Sequence, residues 1–140
     1  MTYSRRDLSM MLAAFAVDDH KGELPAKCWT FESLPVKTNS TTHNETRNVF
    51  DGRTHTGCQL DLHITTLAPG QMPHPPHRHV SEEILLIQQG TLDVTISGKT
   101  QRLGPGGVAY VHSNELHGWK NVGDGPAQYF VLATGKEGAA

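Results

Sequence analysis

Cysteine is scarce. Cys28 and Cys58 lie thirty residues apart with no C-x-x-C spacing, which excludes a zinc knuckle and a dithiol redox motif and gives no spacing argument for a disulfide. Charge of one sign is lacking too: 12 Lys and Arg stand against 14 Asp and Glu, so no basic surplus exists to neutralise a phosphate backbone, and no nucleic-acid partner is expected. No run of eighteen apolar residues occurs, which excludes a membrane-spanning helix, and no integral-membrane partner is expected. Also missing are a Ser-His-Asp order, a phosphate-cradling glycine loop and a pair of catalytic carboxylates. Apolar residues (36%) and charged residues (19%) are both low, and Gly, Pro, Thr, Ser and Asn take up the difference, a turn-rich composition that favours short strands over long helices. At 140 residues the chain closes one core and leaves no room for a second independent domain.

Histidine is abundant. Nine are present, and six of them fall between His63 and His117, which directs attention to that stretch. Before it, Ser4-Arg5-Arg6-Asp7-Leu8, an apolar stretch over residues 10–17 and Ala14-Phe15-Ala16 resemble a twin-arginine export signal. The apolar part is short and Asp18-Asp19 follow at once, so an amphipathic helix over residues 4–16, with Leu8, Met11, Leu12 and Phe15 on one face, is the equal alternative. The protein is accordingly expected to be cytoplasmic, or periplasmic if the signal works.

From residue 28 short apolar segments alternate with turn signals. Asp51-Gly52 reads as a turn, after which Cys58, Leu60, Leu62 and Ile64 alternate with Gln59, Asp61, His63 and Thr65, the period of a half-buried strand whose polar face carries His63. Further strands are expected over residues 83–88, 92–96, 100–103, 108–112, 117–122 and 129–134, at the even spacing of a sandwich or small barrel. The expected organisation is an N-terminal segment (1–25), one all-β antiparallel barrel (26–134) and a tail (135–140).

His77 and His79 lie two apart on an extended segment, so both imidazoles leave one face, and Glu83 follows four residues later. Pro73, Pro75 and Pro76 stiffen the approach, since a residue before proline is confined to extended conformations. Thirty-four residues beyond Glu83, His117 opens another strand just after a turn. Three imidazoles and one carboxylate suit a single divalent transition metal ion, with Fe, Mn, Ni, Co or Cu favoured and Zn admissible, and leave two octahedral positions for water or substrate.

The run Gly70-x6-His77-x-His79-x3-Glu83-x6-Gly90 resembles the first cupin motif, with one residue more than usual before His77. Gly106, His112, Asn114, His117 and Asn121 keep the spacing of the second motif, with His112 and Asn114 where proline and glycine are usual. The resemblance implies a cupin-type jelly-roll barrel with a metal near one mouth. It does not choose a reaction, because the family includes dioxygenases, isomerases, lyases and binding proteins.

The leading expectation is a mononuclear metal-dependent enzyme, with oxidoreductase the first candidate and isomerase or lyase beside it, acting on a small oxygenated molecule such as an enolate, a hydroxy acid or a catechol-like diol. A non-catalytic binding or sensing module for a small ligand is the alternative. For proton transfer no spare carboxylate is placed, so His74 and then His112 are the candidate catalytic residues, with His63 third. Tyr110, Trp119, Tyr129 and Phe130 wall a pocket or fill the core. Exposed strand edges and the apolar N-terminal segment favour a homodimer.

Overall fold

The computed structural model describes residues 22–135, so the signal-like or helical segment over residues 4–16 and the tail from 136 lie outside the described residues. Among the described residues nine strands follow one 3-10 turn at Phe31–Ser33: β1 Val36–Thr38, β2 Glu45–Arg53, β3 Gln59–Leu67, β4 Glu82–Gln89, β5 Leu92–Ile96, β6 Lys99–Leu103, β7 Val108–Val111, β8 His117–Asn121 and β9 Ala127–Thr134. They form a six-stranded sheet in the order β1-β2-β3-β9-β4-β7 and a three-stranded sheet in the order β6-β5-β8. Every paired strand runs antiparallel, and the chain passes repeatedly from one sheet to the other, so the architecture is the jelly-roll barrel expected from the sequence.

The core lies between the sheets. Leu67, Leu85 and Ile87 meet Leu92, Val94 and Trp119 from the small sheet, and Ala127, Tyr129 and Val131 from β9 complete the cluster. Each fully buried aliphatic side chain there contributes about 1.5–3 kcal/mol. Among the described residues no helix is long and apolar enough to cross a membrane.

Two local expectations are corrected. Asp51-Gly52 is not a turn: both residues pair inside β2, with Asp61 and Leu60, and the reversal comes later, where Gly57 N–H donates to Thr54 O. Glycine stands at 52 because residues 22–24 cross the strand there; a Cβ would meet Leu24 Cδ2 at 2.7 Å and Gly22 O at 2.8 Å. The second correction concerns β3. Its inward face carries Thr65 and Leu67, both buried, and by strand parity His63 and Asp61 as well. Its more apolar face, Leu62 and Ile64, points outward and shares a cavity of about 520 Å³ with Trp29, Phe31, Leu34 and Phe130. Residues 29–34 are held over that face: Trp29 packs on Phe50 with ring centroids 5.4 Å apart, and the Arg47 guanidinium lies 4.2 Å over Phe31. Both faces of β3 are covered, which is why apolar alternation pointed to the wrong side.

Candidate metal centre

The proline-stiffened loop delivers His77 onto β8, where it pairs with His117 through two backbone hydrogen bonds, His77 N–H to His117 O and His117 N–H to His77 O, each 3.0 Å. His79 is fixed from the other side, because Asn114 N–H donates to His79 O at 2.7 Å and the Arg78 guanidinium donates to Asn114 O at 2.9 Å. Glu83 enters from β4. Two segments far apart in sequence are thus stitched together by main chain, independently of what their side chains bind.

The ligating atoms of His77, His79 and His117 all lie within 4.8 Å of one another. Glu83 stands beside two of them, with Oε1 3.1 Å from His79 Nε2 and Oε2 3.3 Å from His117 Nε2. The tautomers follow from the other ring nitrogens. His117 Nδ1–H donates to Glu115 O at 2.8 Å and His79 Nδ1–H to Ser81 O at 2.9 Å; a carbonyl can only accept, so in both neutral rings Nε2 keeps the lone pair. His77 Nε2, His79 Nε2, His117 Nε2 and Glu83 Oε2 are all buried without a hydrogen-bond partner among the described residues. Orphaning four polar atoms in one spot is costly unless a cation satisfies them together, and this donor set of three imidazoles and a carboxylate fits a divalent transition metal. The carbonyl partners of Nδ1 are the outer supports that orient metal-binding imidazoles.

In the metal-free protein His77 has its pKa lowered to about 4, first by burial and then by the neighbouring His74, His117 and His79. Its ring is therefore neutral at neutral pH, with a lone pair free to bind.

His74 reaches the edge of this cluster: its ring stacks on His77 with centroids 3.9 Å apart, and its Nδ1–H donates to Pro75 O at 2.9 Å. His112 does not. It is exposed, and its polar partners are local, Ser113 O at 3.4 Å and Glu115 Oε2 at 3.6 Å. His63 faces the barrel interior, its Nδ1 3.8 Å from Asp61 Oδ1, rather than decorating the outer surface.

Two further groups come into view only in three dimensions. Trp119 stacks on His117 at 5.8 Å and meets Tyr129 edge-on at 5.7 Å. Both are core residues, yet Trp119 Nε1 and Tyr129 Oη are buried without hydrogen-bond partners. Burial drives the Tyr129 pKa upward and the charge of Glu83 adds to this; Trp119 and Thr65, its polar neighbours, offset part of it, though neither reaches hydrogen-bonding geometry with it. The hydroxyl stays protonated and is available as a donor. The sequence marks both rings as pocket wall or core; nothing in it shows that their polar ends go unpaired.

Residues 63–133 match the family model described as a cupin domain. Comparison with curated proteins finds no match. Among solved structures, KdgF from Halomonas sp. is similar with a TM-score of 0.69 and 16% identity, covering 81% of this chain and 96% of that one. The polyketide cyclase RemF from Streptomyces resistomycificus is similar with a TM-score of 0.66 and 17% identity, covering 81% and 82%. A sugar phosphate isomerase of the cupin superfamily from Silicibacter pomeroyi is similar with a TM-score of 0.66 and 16% identity, covering 79% and 76%. At such identities the likeness extends to the fold alone.

Proposed function

Because the chain belongs to the cupin family, we propose that His77, His79, Glu83 and His117 hold one divalent transition metal ion, and that the protein is a mononuclear metal-dependent enzyme acting on a small oxygenated organic molecule. The reading is carried by the convergence of three buried imidazole Nε2 atoms and a carboxylate oxygen with no hydrogen-bond partner among them. Bound there, such an ion supplies Lewis acidity toward substrate oxygen atoms and, as iron or manganese, redox chemistry.

The surrounding residues have separable tasks. Ser81 and Glu115, through their carbonyls, hold His79 and His117 in the tautomer that binds. With one carboxylate and three neutral imidazoles as donors, a bound divalent ion would keep a net charge of +1, which favours anionic oxygen ligands. His74, stacked on His77, is the imidazole placed to hold or accept a proton at the rim. Trp119 N–H and Tyr129 O–H supply unspent donors toward the barrel interior.

Oxidoreductase chemistry of the dioxygenase type is the first candidate, and the cyclase and isomerase named among the similar structures keep isomerase and lyase chemistry beside it. Oxygen uptake by iron-loaded protein with substrate, absent from zinc-loaded protein, supports the first; turnover with both ions supports the second. Ligand binding without turnover under either ion would leave the binding or sensing module. We also propose a homodimer, since the outer sheet face exposes Leu86, Val108 and Tyr110.

A further inference from the structure

The inward face of the large sheet carries a second polar array beside the histidines. Lys37 pairs with Thr46, Thr46 with Thr65, and Thr65 with Tyr129, so one row crosses β1, β2, β3 and β9 on a single face. Asn48 pairs with His63 in the next row. A cavity of about 410 Å³ opens over this face, within the size range of small-molecule sites. Seven of its eight lining residues are polar, one is cationic and none is acidic; the eighth is Pro73, in the loop that delivers His74 and His77. The loop that carries the histidines thus also lines the cavity, and Thr65 lines it from β3, where it pairs with Tyr129, the ring that meets Trp119 beside His117.

The polar groups divide into spent and unspent. Asn39 Oδ1 accepts from the Thr41 and Thr42 amides, and Asn44 ties the β1–β2 turn to the next loop through Met72 O and the Ala68 amide. The side chains of Lys37, Thr46 and Asn48 make no hydrogen bond or ion pair with any described residue. One cation, one hydroxyl and one amide thus face a common cavity without a partner among the described residues.

We propose that this cavity is the substrate-recognition site, and that it takes small carboxylates bearing hydroxyl groups, the carboxylate on Lys37 and the hydroxyls on Thr46, Asn48 and Thr65. This rests on reading the histidine cluster as the reactive centre, and it selects hydroxy acids over enolates and catechol-like diols. An aromatic diol would need an apolar or aromatic wall, and this lining offers one proline. A phosphate dianion calls for more than one positive charge or a guanidinium fork, and Lys37 is the single cation in the lining.

The test is calorimetric titration with gluconate, sorbitol and glucose 6-phosphate, on zinc-loaded and on metal-free protein, with metal content measured for every variant. Gluconate is expected to bind about tenfold or more tighter than the neutral polyol. Lys37→Met is expected to erase that preference without changing metal content, and Asn48→Ala to weaken gluconate and sorbitol alike. The proposal is overturned if gluconate binds no tighter than sorbitol, including the case where neither binds, if Lys37→Met keeps the preference, or if glucose 6-phosphate binds tighter than gluconate. The metal-free arm separates the two readings: a preference lost in Lys37→Met stands even where His117→Ala retains metal.

Discussion

Asn121 shows how much one side chain can hold. It is fully buried; its Nδ2 donates to Leu67 O at 3.0 Å and to Gly125 O at 2.9 Å, while Oδ1 accepts from Gly123 N–H at 3.0 Å. Asn121→Ala removes three hydrogen bonds to main chain, a buried one to Leu67 O and part-buried ones to Gly125 O and Gly123 N–H, and opens a cavity, so it is expected to cost about 3 kcal/mol, roughly 10 °C in Tm; a melt within about 2 °C of the parent would contradict this. At the metal centre, the lowered pKa of His77 sets a pH dependence for the metal-free protein. Below pH 6.5 the unfolded chain takes up the proton while the folded one refuses it until about 4, so this contribution to stability is complete above 6.5 and is lost as pH falls toward 4. Urea denaturation of metal-free protein and of metal-free His77→Gln checks it: the parent loses more stability between pH 7 and pH 4.5 than the variant does. His74→Ala is expected to keep metal content and to lower turnover by about 100-fold if its ring handles a proton, whereas His112→Ala leaves both unchanged. An unaltered rate in His74→Ala would reduce that ring to packing. The three cluster histidines were legible in the sequence because His77 and His79, two apart on an extended segment, leave one face and His117 opens a strand after a turn, whereas Lys37 sits in a three-residue strand with no pattern to flag it.

Among the elements, the turn between β4 and β5 is held to one residue type. Gly90 has φ +83°, and a Cβ there would meet Ala127 Cα and Pro126 O, both at 2.7 Å. Those are main-chain atoms or rigidly tied to it, so Gly90→Ala is expected to cost more than about 2 kcal/mol; thermal melting at parental temperature would show that the turn yields. Most strands were legible from turn residues and alternation, since β4 to β9 form hairpins and crossovers punctuated by Gly, Pro and Asn. Two features resisted for physical reasons. The inward face of β3 lines a polar cavity, so the usual rule that the apolar side faces the core inverts, and the polar face that carries His63 lies inside the barrel. In β2, a glycine required by close packing imitates a turn.

On the scale of the whole molecule, the large sheet exposes Leu86, Val108 and Tyr110 on its outer face at 43%, 56% and 55%, a surface that a second copy would cover. Light scattering at micromolar concentration is expected to give about twice 15.3 kDa, and a mass near the single-chain value would reject the homodimer. The jelly roll and the stitching of His77 to His117 by main chain make the histidine cluster a property of the fold, so if it holds the proposed ion, losing a ligand should empty the site without unfolding the barrel. Metal analysis of wild-type protein and His117→Ala, both shown folded by circular dichroism and both offered iron, manganese, nickel and zinc, tests this most directly. The expected result is one equivalent of a divalent ion in the wild type and almost none in the variant; full retention by folded His117→Ala, or no uptake by the wild type, would contradict it.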